Sequence, residues 1–205
     1  MTLVLIAAAT VAIPVIGQAQ EDVGVGAGTT FAFGVDARAL AMGGAYVALA
    51  EGYSAPYWNP AGMASQTASA EVGAMNVDKF GLGIQFNYLG GAVRVPQAGL
   101  TVGGAFLGSF VADVPVPGSG GQPARTVNNN EIVFLGSAAL RLPIAELPVR
   151  VGGSAKYYSH TLADEQGTGI GADLGVQADL GSRLRLGASI SAAAGTLINW
   201  STGDV

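Results

Sequence analysis

Two carboxylates and four basic side chains in the second half of the chain are the groups whose spacing could support chemistry. Asp173 and Asp179 are six residues apart, which places them on one side of a strand and roughly 20 Å apart at ~3.3 Å per residue. That separation is too large for a carboxylate pair acting on one bond. Cross-strand ion pairs lining a water-filled interior are the better interpretation, and their basic members would be Arg141, Arg150, Lys156 and Arg185.

Other arrangements that could catalyse a reaction or hold a cofactor lack essential parts. The glycine-rich stretch 24–28 has no preceding strand and no later acidic partner, so it is not a dinucleotide loop. The stretch 118–121 lacks the Lys-Ser/Thr of a phosphate loop. Three serines, Ser137, Ser154 and Ser189, have no base nearby in sequence. The sequence therefore predicts no catalytic residues and no cofactor.

Metal and nucleic-acid binding are also not predicted. The chain has no cysteine and a single histidine, His160, too few ligands for a typical transition-metal site. We interpret His160 as a solvated residue near a strand end. The net charge is −5 and the nine basic residues are scattered, whereas nucleic-acid binding requires clustered Lys and Arg.

The charged residues follow a two-residue repeat in four segments, 131–142, 149–160, 169–180 and 184–192. In 169–180, for example, Asp173 and Asp179 alternate with Leu174 and Val176. Side chains of a strand alternate between faces, so each segment predicts a strand with one charge-free apolar face. Each is about 9–12 residues long, as a tilted strand that crosses a bilayer requires.

Seven strands are predicted from this alternation and the turn residues between them: 69–77, 84–95, 100–111, 131–142, 149–161, 169–180 and 184–197. Gln85 and Asn87 fall on one side of the two-residue alternation and Arg94 falls on the other, which indicates a bulge at Gly90–Gly91. Short connections (96–99, 143–148, 181–183) alternate with longer ones (112–130, 163–168). In outer-membrane barrels the short turns are periplasmic.

The predicted fold class is all-β: an antiparallel up-and-down transmembrane β-barrel, present in part, with an N-terminal helical hatch. Bacterial single-chain barrels have even strand numbers, so seven strands indicate part of a longer barrel or a subunit that another must close. Residues 1–19 resemble a signal peptide with cleavage after Ala19. Residues 20–66 would form the hatch and 67–205 the first half of the barrel.

Within the hatch, Asp36 is predicted to cap a helix over 37–50, weakened by Gly43 and Gly44. Residues 53–62, with two prolines and a glycine, are predicted to be neither helix nor strand. Asn59 precedes a proline and should be extended, with its amide bonding unpartnered backbone groups.

Residues 36–65 resemble the N-terminal signature of the PorV/PorQ-like outer-membrane proteins, which are related to the long-chain fatty-acid transporters (FadL-type barrels). The resemblance covers about 30 residues closely, and the strand pattern follows it loosely. The positions that carry it are Arg38, Ala39, Met42, Gly43, Gly44, Ala45, Trp58, Asn59, Pro60, Ala61 and Gly62.

The resemblance implies a barrel of about fourteen strands with the N-terminal segment inside as a hatch. In the transporter branch the hatch gates hydrophobic molecules, which leave sideways through the wall; in the PorV branch the barrel docks or carries secreted proteins. Carried over to this chain, the hatch and gating residues are Arg38, Met42, Gly43, Gly44, Trp58, Asn59, Pro60, Ala61 and Gly62.

Our leading hypothesis is a non-enzymatic protein of the outer membrane of a Gram-negative-type bacterium that passes or binds hydrophobic small molecules. The alternative is a secretion-associated barrel that docks exported cargo through residues 112–130. A secreted soluble β-sandwich or adhesin is the third possibility. The partners expected are outer-membrane lipid and either a hydrophobic molecule or protein cargo.

Overall fold

The wall of the protein is one antiparallel sheet that curls into half of a barrel in the computed structural model. The structure describes residues 33–79, 81, 83–117, 123–144, 147–181, 183–191 and 197–200. Strands β1 to β7 are neighbours in sequence order, and β8 pairs with β6. Their bounds are β1 Ala70–Lys79, β2 Ile84–Val95, β3 Leu100–Pro117, β4 Pro123–Ile144, β5 Leu147–Leu162, β6 Glu165–Leu180, β7 Leu184–Ile190 and β8 Leu197–Trp200.

The seventh predicted strand is divided in two. β7 pairs with residues 174–180 of β6, and β8 pairs with residues 167–170 of the same strand. The prediction of a continuous strand over 184–197 is therefore wrong, because β7 ends at Ile190 and Ser191 is a bend; residues 192–196 lie outside the described ranges.

The connection predicted as a long loop over 112–130 is mostly strand. β3 and β4 continue past the end of β2 as a two-stranded ribbon (residues 112–117 and 123–128), with Val114 paired to Val127 and Val116 to Arg125. β-Branched residues favour such pairing, and this outweighs the prolines that suggested a loop. The other long connection, 163–168, shortens to a turn at 163–164, where Ala163 has φ 55°.

Two faces of the sheet differ sharply in exposure. The inner face is the one that the N-terminal segment (residues 33–69) covers, and the outer face is the other. On β4 the inner side chain of Val133 is 0% exposed, whereas its outer neighbour Phe134 is 52% exposed. On β6, inner Asp173 and outer Leu174 are 5% and 56% exposed. The two-residue alternation predicted from the sequence is therefore present.

The bulge predicted at Gly90–Gly91 is absent, because β2 pairs with both neighbours in unbroken register from Ile84 to Val95. Gln85 and Asn87 therefore lie on the outer face and Arg94 on the inner face. Asn87 accepts a hydrogen bond from Asn76 of β1 at 2.7 Å. The outer face thus carries paired polar groups near the β1–β2 turn.

The N-terminal segment is made of short helical turns: α1 (Ala37–Ala41), a 3-10 turn (Gly52–Ser54), α2 (Ala55–Trp58) and a second 3-10 turn (Pro60–Ser65). The predicted helix over 37–50 ends after five residues because Gly43 and Gly44 have φ of 63° and 81°, which a right-handed helix does not allow. Asp36 caps α1 as predicted, accepting from Arg38 N at 2.9 Å.

The prediction that 53–62 contains no regular helix is wrong. Pro56 and Pro60 stand at the first positions of helical turns, where a missing N–H has no cost. The predicted signal peptide and residues 20–32 of the predicted hatch lie outside the described residues. Across the described ranges, no helix combines the length and apolar character that crossing a membrane would demand.

Candidate functional site

Asn59 fastens the N-terminal segment to the inner face. Its side-chain Nδ2 donates to the carbonyls of Val47, Val176 and Ala188 at 3.0, 3.2 and 3.3 Å. Its Oδ1 accepts from Ala61 N at 3.1 Å. Asn59 is extended, with φ −164° and ψ 104°, as the following proline requires. One buried amide therefore joins α2, the turn before it and strands β6 and β7.

Glycines of the inner face let the segment approach the wall backbone to backbone. A Cβ on Gly152 would overlap the Pro60–Ala61 peptide, and one on Gly175 would overlap the Asn59 side chain. Gln177 strengthens the contact, since its Nε2 donates to the carbonyls of Val47 and Ala50 at 3.0 and 3.1 Å. The glycines that face the segment in this way are Gly73, Gly90, Gly103, Gly152, Gly175 and Gly187.

The beginning of the segment is held less tightly. Arg38 forms an exposed ion pair with Glu51 at 2.9 Å, and Met42 is 39% exposed. A Cβ on Gly43 would meet no atom within 4 Å. The predicted hatch residues thus fall into two groups, an exposed one around 38–44 and a buried one around 58–62. Gly62 belongs to the second, packed against the carbonyl of Ala50.

An apolar and aromatic cluster occupies the inner face of β2 to β5 beside the segment. Trp58 packs against it and donates from Nε1 to Val35 O at 2.8 Å, and Tyr88 donates its hydroxyl to Tyr53 O at 2.6 Å. Burial raises the pKa of the Tyr57 hydroxyl to about 12, so this side chain stays neutral near pH 7. The buried members, named here the aromatic cluster, are Val35, Phe86, Tyr88, Ala105, Leu107, Val133, Leu135 and Tyr158.

The cross-strand ion pairs predicted from the sequence are present on the inner face. Lys156 Nζ lies 2.6 Å from Asp173 Oδ1. Asp179 accepts both terminal nitrogens of Arg150 at 2.7 Å and Nε of Arg185 at 2.7 Å. Their surroundings differ from the water-filled interior that was predicted, since the Lys156 and Asp173 side chains are only 8% and 6% exposed.

Two side chains differ from their predicted roles. Arg141 has no ion-pair partner among the described residues and donates instead to Ala64 O at 3.0 Å. His160 is not solvated but 1% exposed. Its Nε2 lies 2.6 Å from Asn129 Oδ1. The two-residue alternation places His160 on the inner side of β5, and that position by itself indicates a buried side chain.

Sequence reasoning missed the inner-face glycines and the role of Gln177. A signal did exist, since Gly152 and Gly175 stand in register on neighbouring strands at positions where a packed inner face would carry side chains. Within the described ranges, no group of three or more His, Cys, Asp or Glu residues could hold a metal ion.

Comparison of the chain with protein-family models, with curated proteins and with solved structures finds no match in any of the three. Function is therefore argued from the residues themselves.

We expect Asn59→Ala to lower the free energy of unfolding by about 2–4 kcal/mol, because several buried backbone groups lose their partner. Urea unfolding in detergent micelles, followed by tryptophan fluorescence, measures the change. The control is Asn76→Ala on the exposed outer face, expected within about 0.5 kcal/mol of the wild type. Equal losses in both variants would contradict the anchoring role of Asn59.

Gly175→Ala should destabilise the protein by about 1–3 kcal/mol, since the added methyl overlaps Asn59. The matched control is Gly136→Ala on the outer face of β4, where a Cβ meets nothing within 4 Å. This control should be neutral, or stabilising by up to about 1 kcal/mol. Thermal unfolding followed by circular dichroism compares the two, and a reversed order would disprove the close packing.

Proposed function

We propose that this chain forms part of the wall and the internal hatch of an outer-membrane β-barrel that passes or binds hydrophobic small molecules by passive diffusion. The resemblance of residues 36–65 to PorV/PorQ-like and fatty-acid-transporter proteins agrees with this function. The proposal includes no catalytic step. Its main support is that an apolar cluster lies on the side of the wall that faces away from lipid.

The outer face supports the membrane part of the proposal. On β4 its seven positions from Ile132 to Ile144 are apolar or glycine, and β5, β6 and β7 continue this surface with Val149, Leu174 and Leu186. The ten residue steps from Phe134 to Ile144 span roughly 33 Å along the strand, or about 25 Å at a ~40° tilt. That is the height of the apolar band of transmembrane barrels.

An aromatic row marks one border of this band. Phe106, Phe134 and Tyr157 are directly paired on the outer face of β3, β4 and β5, with the first two ring centroids 5.4 Å apart. Beyond this row the outer positions include Ser159 and Thr161. Aromatic girdles stand at membrane–water interfaces, so the row is a suitable boundary at the end opposite the short turns.

The aromatic cluster on the inner face is the observation that carries the transport function. A water-filled barrel interior is lined with polar side chains, whereas Phe86, Leu107 and Val133 here are 0% exposed on that side. Pockets for small molecules are mostly apolar with a few polar groups that set orientation. A hydrophobic guest would exchange places with the part of the segment that covers the cluster.

The contacts also indicate which part of the hatch moves. Displacement at Asn59–Pro60 would break the bonds of Asn59 to β6 and β7. Displacement of residues 33–45 breaks the hydrogen bonds from Trp58 to Val35 and from Ser54 to Asp36, and the exposed Arg38–Glu51 pair, all within the N-terminal segment. We therefore place the moving part at 33–45, which carries Phe33 and Val35 over the inner face, with 55–65 as the fixed part.

One observation favours the alternative, a PorV-like barrel that docks exported proteins. The ribbon of β3 and β4 projects past the wall and carries the exposed Arg125–Asp164 ion pair at 3.2 Å. Its paired strands hold side chains in a fixed register, which offers a docking surface that an unpaired loop does not.

We expect spin labels at outer positions to report lipid and a label at an inner exposed position to report water. The chain has no cysteine, so Leu186→Cys and Arg94→Cys can each be labelled singly. Oxygen and nickel-chelate accessibility in phosphatidylcholine vesicles gives the readout. The membrane assignment fails if Leu186 reports water and Arg94 reports lipid.

Shortening the ribbon distinguishes the transport function from the docking function. Val111 and Asn129 are paired, so an Asn-Gly turn can replace residues 112–128. Binding of N-phenyl-1-naphthylamine, measured by energy transfer from Trp58 in a Trp200→Phe background, should change by less than about twofold, because the aromatic cluster is untouched.

The comparison variant is Val133→Thr, which keeps the volume but adds a hydroxyl to the cluster. It should weaken binding of the probe about tenfold, since an apolar guest leaves the hydroxyl without a partner. Loss of binding on shortening the ribbon, with Val133→Thr unaffected, would contradict the transport function.

A further inference from the structure

Positive charge is concentrated at the short-turn end of the inner face. Five of the nine basic residues of this acidic chain lie in or within four residues of the turns after β2, β4 and β6. We name this group the arginine rim: Arg94, Arg141, Arg150, Arg183 and Arg185.

The rim is short of negative charge, since only two acidic residues, Glu146 and Asp179, fall in the same stretches of sequence as the five arginines. Asp179 is the only carboxylate among the described residues that contacts any of the five. It is already shared between Arg150 and Arg185, with all three contacts at 2.7 Å. One carboxylate between two guanidinium groups leaves a net positive charge before the other three arginines are considered.

A pair of like charges adds to this imbalance. Arg141 and Arg150 are direct cross-strand partners on β4 and β5, and both lie on the inner face. Like charges directly opposite each other destabilise a sheet. Arg150 is 3% exposed, and its Nε is buried and donates to no described acceptor. Asp179 therefore does not satisfy Arg150 completely.

Holding the N-terminal segment accounts for only part of this arrangement. Arg94 donates to Thr67 O at 2.9 Å and Arg141 to Ala64 O at 3.0 Å. A guanidinium group has five N–H donors, and both side chains are exposed. Most of their donors, and all of their charge, remain available to a partner from solution.

We propose that the arginine rim is a binding site for a phosphate group, held between Arg94 and Arg141, whose guanidinium groups already meet at the carbonyls of Thr67 and Ala64, three residues apart. Guanidinium groups match the oxygens of phosphate with two parallel hydrogen bonds. A phosphate dianion also offsets more of the excess charge than a carboxylate does. The group can belong to inorganic phosphate or to a lipid headgroup at the rim. The site is independent of the proposed transport function.

Calorimetric titration of the full chain in dodecyl maltoside micelles tests the proposal, with inorganic phosphate, dihexanoyl-phosphatidylglycerol and acetate as separate probes. We expect phosphate or the lipid to bind. Arg94→Gln and Arg141→Gln should each weaken that binding about tenfold, since each loses charged hydrogen bonds. Arg141→Lys keeps the positive charge but cannot make two parallel hydrogen bonds. Its affinity for the probe should lie between those of the wild type and Arg141→Gln.

Arg125→Gln on the ribbon is the matched control and should bind as the wild type does. Saturable binding of phosphate alone assigns the site to the free ion, and tighter binding of the lipid assigns it to a headgroup. The proposal is overturned if neither binds, if acetate binds equally well, or if Arg125→Gln loses as much as Arg141→Gln. Near-ultraviolet circular dichroism verifies that each variant is folded.

Discussion

The amide of Asn59 and the glycine beneath it set the distance between the N-terminal segment and the wall. Backbone can lie against backbone only where the strand lacks a Cβ and where a side chain satisfies the exposed carbonyls. Gly175 is the strand residue without a Cβ. Asn59 is the side chain that satisfies the carbonyls, those of Val47, Val176 and Ala188. The position of Trp58 over the aromatic cluster follows from this contact, because Trp58 immediately precedes Asn59.

The inner face is divided between two environments. Towards the ribbon it is mostly apolar and aromatic, with Glu131 and His160 buried beside the cluster, and towards the short turns it is crowded with arginines. The same strands supply both, since β4 carries Val133 and Arg141 on one side eight residues apart, and β5 carries Tyr158 and Arg150 in the same way. Apolar molecules and anions would therefore meet opposite ends of one surface.

Much of the wall could be predicted because alternation is a local property of sequence. The bounds of β2 agree to the residue, and the presence of cross-strand ion pairs at Asp173 and Asp179 follows from side and spacing, although the sequence does not assign the partner of each. The errors occur where contacts between residues distant in sequence determine the local structure. Residues 112–117 and 123–128 become strand by pairing with each other, and residues 55–58 become helical against the wall. The glycines of the inner face also depend on the segment above them, so no pattern within a single strand indicates their role.

The ribbon leaves one side of β3 without a neighbouring strand beyond Val111, and such an edge invites another molecule to add a strand. Pro115 and Pro117 lie on that stretch, and within a ladder proline is tolerated where its nitrogen points away from the partner strand. The unpaired side is therefore interrupted at the places where a foreign strand would seek donors. Backbone pairing there is left mainly to carbonyl acceptors, which disfavours edge-to-edge association between copies of the ribbon.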